Sequence, residues 1–281
     1  MRNEKKDVKK GESDTDSYMQ SLLVSNPLRE STLFEAIQTL HLPLGSRGLD
    51  VGCGIGLQTL QLAEAVGPSG HVTGLDVAPE FLIRGREIVK KGGLSERIFF
   101  QEGDMNNLPF DDDTFEWAWS ANCVGYGPWE PLLPLKELVR VVKPGGTVAI
   151  LVWSSEQLLP GYPLLEARLG ATSMGIAPFI RGKKPKMHFL RAMGWFIEVG
   201  LKEPTARAFV GSACAPLCDD LYNALAALIE MRWPGVESEL EPEDLKEFQR
   251  LCKPESPDFI LNLPDYYAFF TESMFWGKVP K

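Results

Sequence analysis

One segment narrows the fold more than any other. Gly48-Leu49-Asp50-Val51-Gly52-Cys53-Gly54-Ile55-Gly56-Leu57-Gln58 passes from a short apolar run, through three alternate glycines, straight into residues at helical spacing. The apolar run reads as a buried parallel strand, and Leu57, Leu60, Leu62, Ala63 and Val66 recur at the period of a helix. Glycines at such a junction let the backbone come close to a ligand and leave the first N–H groups of the helix open to it. A tight strand-to-helix turn could also want them for conformation alone. The spacing is G-x-G-x-G, with Leu57 or Thr59 where a dinucleotide fingerprint needs its third glycine, which disfavours NAD. The lysine-containing end of a phosphate loop is missing too, so ATP or GTP hydrolysis has no support.

Three further segments point the same way. His71 to Asp76 reads as a second strand ending in a carboxylate, with Pro79 and a helical run to about Lys91 behind it. At the carboxyl end of a parallel strand an aspartate can accept both hydroxyls of a ribose; the alternative is a turn or helix-capping aspartate. A third strand, Arg97 to Gln101, runs into Gly103-Asp104-Met105, and a fourth, Phe115 to Trp119, into Ser120-Ala121-Asn122. A helix ending at Lys143-Pro144-Gly145-Gly146 leads to a fifth strand, Thr147 to Trp153. Strict alternation of strand and helix predicts a doubly wound α/β sheet covered on both faces.

With these segments in order, residues 45 to 153 resemble the class I S-adenosylmethionine-dependent methyltransferases, in particular the small-molecule group of the ubiquinone and menaquinone methyltransferases. The resemblance rests on Leu49 to Gly56, Gly74-Leu75-Asp76, Gly103-Asp104-Met105 with Leu108-Pro109-Phe110, and Leu138 to Gly146. It implies a Rossmann-like sheet of seven strands with the last antiparallel. It also implies S-adenosyl-L-methionine as cofactor and S-adenosyl-L-homocysteine as product. Gly52, Cys53, Gly54 and Gly56 would lie against the methionine and ribose portions, with Asp50 orienting the amino group. Asp76 would hold the ribose hydroxyls with Val77 beside it, Asp104 would accept from the adenine amino group, and Met105 would pack beside the base. Ser120 and Asn122 would border the methyl group. Asp50 is explicable against this cofactor, while it would repel a pyrophosphate.

The rest of the chain sets the boundaries. Residues 1 to 16 are mostly charged or small and are expected to be disordered, with helices near 17 to 24 and 31 to 41 folding over the cofactor and Tyr18 a possible contact. Residues 17 to 153 form the cofactor-binding core. Residues 154 to 281 complete the sheet: a helix around Met187 to Leu201, a sixth strand at about Glu203 to Gly211, and a last strand near Phe269 to Val279. Between those strands, about 212 to 266, helical patterns at 216 to 233 and 241 to 252 make an insertion expected to act as a substrate lid.

A net charge of −9 argues against a nucleic-acid surface, and Arg181 to Lys186 reads as a solvated loop. No apolar run is long enough to cross a membrane and no secretory signal is seen, so the chain is expected in the cytoplasm. Five cysteines make no disulfide framework or zinc pattern, and buried free thiols are expected. Asp111-Asp112-Asp113 reads as turn chemistry, so no metal is expected. Tyr126 and Trp129, just past the fourth strand, are the catalytic candidates, either holding an acceptor near the sulfonium or simply packing. The expected function is methyl transfer to a small, partly apolar molecule at carbon, oxygen or nitrogen. A protein or nucleic-acid methyltransferase is an alternative, although the Asn-Pro-Pro-aromatic run common in base methylation is replaced by Ser120-Ala121-Asn122-Cys123. So is a non-catalytic module that senses the cofactor.

Overall fold

The computed structural model describes residues 4–126, 130–176 and 184–281. Helix α1 (Glu4–Thr39) leads into β1 (Arg47–Val51), α2 (Leu57–Ala65), β2 (His71–Asp76), α3 (Pro79–Lys91), β3 (Ile98–Glu102), β4 (Phe115–Ala121), α4 (Leu132–Val141) and β5 (Val142–Gln157). Then follow α5 (Pro163–Ala171), α6 (Ser173–Ile176), α7 (Ala192–Glu198), β6 (Lys202–Cys214), α8 (Asp219–Arg232), α9 (Pro242–Cys252) and β7 (Tyr267–Lys278).

The strands lie in the order β3-β2-β1-β4-β5-β7-β6. The first five are parallel, with Asp50 beside Gly74 and Trp119, and β7 runs antiparallel between β5 and β6. This is the seven-stranded Rossmann-like sheet with an antiparallel last strand that the resemblance implies. The chain winds outward from β1 towards β3, then returns to place β4 on the other side of β1. The order therefore reverses between β1 and β4, and the crevice outside the carboxyl ends of those two strands is where such sheets bind ligands.

Side chains alternate between two cores. On β5, Ala149 and Leu151 face a cluster with Leu33 and Ile37 of α1 and Leu62 of α2, while Val148, Ile150 and Val152 face Leu135 and Leu138 of α4 and Phe196 of α7. Period-two alternation with both faces apolar is what a sheet sandwiched between helices requires. Trp117 and Trp119 of β4 are fully buried. Gly48 on the neighbouring strand makes room: a Cβ there would stand 1.9 Å from the Trp117 ring. The Trp117 indole N–H, enclosed with it, donates to Ser46 Oγ at 2.9 Å.

A third core belongs to the later segments. Leu225 and Ile229 of α8, Phe248 and Leu251 of α9, Phe259, Trp233 and Leu158 pack with Phe270 of β7 and with Leu28 of α1. The insertion thus has an interior of its own, continuous with the sheet.

Three expectations change. The two helices near 17–24 and 31–41 are one helix, α1, and it begins inside the segment expected to be disordered. Helical hydrogen bonds close within four residues, so a charged segment can be helical without burying apolar area. The fifth strand is longer than Thr147 to Trp153 at both ends: α4 stops at Val141, so Lys143 to Gly146, expected to end the helix, lie in the strand, whose Val142 pairs with Phe115, and its pairing with β7 continues to Gln157 opposite Phe269. Cys214 and Cys218, expected as buried thiols, are exposed, since they flank the turn from β6 into α8 rather than facing its core. No helix of the described residues is long and apolar enough to cross a membrane.

Candidate active site

The glycine turn after β1 is shaped by backbone conformation and by close approach together. Gly52, Gly54 and Gly56 all have positive φ, at 75°, 53° and 80°. At Gly52 a side chain would also collide with Cys123, whose Cβ and Sγ stand 2.5 Å from the ideal Cβ position. At Gly54 the same construction meets only Leu22 of α1, at 3.6 Å, so the turn leaves a space there that α1 roofs. Gly52 N–H and Cys53 N–H donate to Leu75 O at 2.8 and 3.0 Å, fastening the turn to the end of β2.

Asp76 sits where those two elements meet. Its Oδ2 accepts from Gly54 N–H at 2.9 Å and its Oδ1 from Ala78 N–H at 3.0 Å, just ahead of α3. The turn-aspartate reading is therefore true, and it does not exclude a ligand, because each carboxylate oxygen has lone-pair capacity to spare. On the neighbouring strand end Asn122 adopts a φ of 50°, which asparagine tolerates better than most residues. Its Oδ1 accepts from Trp153 N–H at 2.7 Å, linking the ends of β4 and β5.

These groups enclose a cavity of about 240 Å³ between α1 and the carboxyl edge of the sheet. Gly52, Cys53, Gly54, Asp76, Asn122 and Cys123 form its floor, and Tyr18, Asn26 and Arg29 of α1 its roof. Phe81 of α3 closes one side, its ring 5.7 Å from that of Tyr18 at an interplanar angle of 27°. Arg29 also lines it while its Nε donates to Glu272 Oε1 at 2.8 Å. Glu272, wholly buried on β7, accepts from Thr32 Oγ1 at 2.7 Å as well. This pair fixes the height of α1 above the turn.

The donor set suits S-adenosylmethionine. The Gly54 position that a Cβ would fill allows close backbone approach, Asp76 can take a diol, Tyr18 and Phe81 offer apolar rings to a base or sulfonium, and Arg29 with Asn26 offers donors to a carboxylate.

Of the residues singled out from sequence, Gly52, Cys53, Gly54, Asp76 and Asn122 line this cavity. Asp50 does not: it is buried and accepts from Thr59 Oγ1 at 2.6 Å, and burial lifts its pKa to about 7. Ser120 is buried too, its Oγ accepting from Val124 N–H at 3.1 Å, so it shapes the loop after β4. Gly56 packs against Phe100, and Val77 is exposed. Asp104 is exposed, accepting from Asn106 N–H and Nδ2 at 2.8 Å each, while Met105 reaches the cavity's edge through a 3.5 Å contact of its sulfur with Cys123 Sγ. Asp112 pairs with Arg140 at 2.9 Å and Asp113 takes a φ of 54°, as turn residues.

Tyr126 stands beside the site. Burial pushes its hydroxyl pKa up to about 12, and the charges of Arg29, Glu156 and Arg232 all reach it. Trp129 lies outside the described residues. Sequence reasoning missed Asn26, Arg29 and Phe81: polar and aromatic side chains on helices carry no motif, and only docking of α1 and α3 over the turn brings them together.

A second cavity, of about 390 Å³, is lined by Trp153 and Glu156 at the end of β5, by His188 and Leu190, and by Arg232 and Trp233 at the end of α8. Asn122, which lines the first cavity, accepts from the backbone N–H of Trp153, which lines this one.

A methyltransferase-domain family model matches residues 49–146. Demethylmenaquinone methyltransferase of Bacillus cytotoxicus is 40% identical over 129 residues, which cover 44% of this chain and 52% of that protein. The chain thus spans about half the length of that relative. Demethylmenaquinone methyltransferase of Staphylococcus epidermidis is 33% identical over 200 residues, covering 64% of this chain and 77% of that protein. Among solved structures the YcgJ protein of Bacillus subtilis aligns with a TM-score of 0.55 at 15% identity, over 90% of this chain and 99% of that one, a likeness of fold. The shared sequence falls on the glycine turn, the Asp76 strand end and the β4 edge, the parts that build the first cavity, and places this chain in the class I S-adenosylmethionine-dependent methyltransferase family.

Proposed function

We propose that the chain transfers a methyl group from S-adenosylmethionine to a small, partly apolar acceptor. The single observation behind this is the cavity at the β1/β4 crossover, where the Asp76 carboxylate, open backbone at Gly54 and the Tyr18–Phe81 pair converge beneath α1. The relatives' name makes a quinone-type ring the first acceptor to try.

The cofactor supplies a sulfonium methyl that departs by in-line displacement, with positive charge dispersed as it goes. The protein's part is then placement and exclusion of water. Asp76 and the Gly52–Gly54 backbone hold the cofactor's sugar and amino-acid ends, with Arg29 and Asn26 offering donors to its carboxylate. Tyr126, whose hydroxyl pKa burial pushes up to about 12, is suited to donate a hydrogen bond to the acceptor and not to act as a base. Asp50, Gly56 and Ser120 support the turn and the strand ends from outside the cavity, Met105 touches Cys123 at its edge, and Val77 and Asp104 lie exposed outside its lining. Acceptor choice falls to the segments after Trp153, including the insertion around α8 and α9.

Calorimetry with Asp76→Ala tests the cofactor half. Affinity should fall roughly ten- to a hundredfold, the loss of one or two hydrogen bonds to a charged group. Unchanged affinity in a folded variant removes Asp76 from the site. Labelled cofactor offered with quinol, phenol and amine acceptors, followed by mass spectrometry, tests the transfer itself.

A further inference from the structure

We infer that the outer face of α7 is a dimer interface, on which α7 of a second copy of this chain docks antiparallel with the two-fold axis at Gly194. The inference goes beyond the methyl-transfer reading and does not depend on it.

Only one face of α7 is used within the chain. Ala192, Trp195 and Phe196 are buried, packing in the core that holds Leu135 and Leu138 of α4. A short 3₁₀ turn, Phe189–Arg191, runs straight into the helix. Along the opposite face Leu190, Arg191, Gly194, Ile197 and Glu198 are all exposed, Leu190 at 57% and Ile197 at 65%. Steps of three and four residues put them on one stripe. Helix α7 packs against α4 and β6, and each of these carries an exposed apolar side chain of its own, Leu133 and Val210.

Gly194 points to a close neighbour outside the chain. A glycine inside a helix costs about 1 kcal/mol relative to alanine. Its φ is not positive, and a Cβ built on it meets nothing within 4 Å. Neither backbone conformation nor packing within the chain calls for a missing side chain there. What bare backbone provides is close approach, since the distance between two packed helices is set by the side chains at their contact.

The stripe is also complementary to itself. In an antiparallel pair about a two-fold axis, each flank of one helix meets the same flank of the other, running the opposite way. The pairs 190–197 and 191–198 straddle Gly194 evenly. With the axis there, Arg191 stands opposite Glu198 of the partner subunit on one flank, and Leu190 opposite the partner's Ile197 on the other, each contact made twice. Arg191 and Glu198 make no ion pair among the described residues, so both charges remain for a partner. A parallel pair would set Arg191 against Arg191, so the charges select the antiparallel register. An anionic membrane fits this face less well, because Glu198 and Glu130 border a groove of about 130 Å³ between α7 and α4 and would repel it. Two helices of this length do not cover the roughly 800 Å² per partner of a standard interface, so the exposed apolar side chains of α4 and β6 belong to the proposed contact.

The interface bears on the site from behind. The Trp195 ring packs on Gly125, where a Cβ would stand 2.6 Å from it, and Tyr126 follows in the chain. A second copy seated on α7 braces the loop that carries Tyr126.

Sedimentation velocity of the full chain tests this. The wild type should show a concentration-dependent dimer between about 1 and 200 µM, the range of a modest interface. Gly194→Arg puts bulk and like charge on the axis, where the chain itself leaves open space, and should raise the dimer dissociation constant about tenfold or more while the circular dichroism stays that of the wild type. Arg191→Glu sets like charges opposite each other and should raise it about five- to tenfold. Combined with Glu198→Arg, the affinity should return to within about threefold of the wild type, a rescue that contact across the axis explains and a purely structural role for either residue does not. A wild type that stays monomeric throughout the range overturns the interface, as does a dimer indifferent to Gly194→Arg or a charge reversal without rescue. Should Gly194→Arg not fold, the charge-reversal pair decides alone.

Discussion

Removing the Arg29 side chain should cost the protein far more than removing Arg29 and Glu272 together. Glu272 is 0% exposed on β7, between β5 and β6, and its partners are Arg29, which reaches it through two nitrogens, and Thr32 Oγ1. Arg29→Met leaves a buried carboxylate with one hydroxyl for company. Breaking a buried pair this way costs on the order of 3–5 kcal/mol, and because Arg29 keeps 17% exposure the lower end applies, about 3 kcal/mol. Arg29→Met with Glu272→Leu removes the charge along with its partner and should return to within about 1 kcal/mol of the wild type. Urea unfolding of the four proteins of this cycle gives a coupling energy expected near 2–3 kcal/mol. A loss below about 1 kcal/mol for Arg29→Met, or a double variant no more stable than the single, refutes the idea that this pair seats α1. Calorimetry on the double variant then separates two roles. Where the double variant regains wild-type stability, so that apolar contact seats α1 in place of the ion pair, any lost cofactor affinity reports contact between Arg29 and the ligand.

Three other outcomes follow from the site. Burial lifts Asp50 from an ordinary carboxylate value to about 7, so the folded chain keeps a proton that the unfolded chain releases, and this group's contribution to stability is lost as pH rises from about 4 to about 7. Asp50→Asn should flatten that slope in urea unfolding at about pH 5 and about pH 7.5; identical slopes would show Asp50 ionising freely in the fold. Gly52→Ala forces a side chain into a φ of 75° and onto Cys123, and should lose about 2–3 kcal/mol of stability together with cofactor affinity, whereas a loss below about 1 kcal/mol would mean the turn relaxes easily. EDTA should leave turnover unchanged, since among the described residues no three histidine, cysteine or acidic side chains gather as a metal site; recovery of lost activity by added magnesium or zinc would contradict this.

The sheet was legible in the sequence because its signals are local. Alternating apolar runs, the three glycines, Asp76 at a strand end and Gly145 near the start of β5 each specify backbone conformation within a few residues, and their order forces a parallel, doubly wound topology. The floor of the first cavity came with it, since Gly52, Gly54, Asp76 and Asn122 all sit at strand ends whose positions the pattern already sets.

What only the tertiary structure decided is the roof and the second cavity. Arg29 and Glu272 are 243 residues apart, and Glu156, bonded to the Trp153 indole, meets Arg232 across a gap of 76 residues. Nothing in the local sequence of α1 distinguishes Arg29 from a solvated helix residue, and nothing in or just after α8 marks Trp233 as a buried donor with no partner among the described residues. Such pairings depend on how helices dock on the sheet, which is set by the summed packing of three cores and not by the residues that end up facing each other. The same reason moved Asp50 out of the cavity. Its place at the end of β1 is a matter of strand periodicity, but its burial against Thr59 is decided by where α2 lies on the sheet.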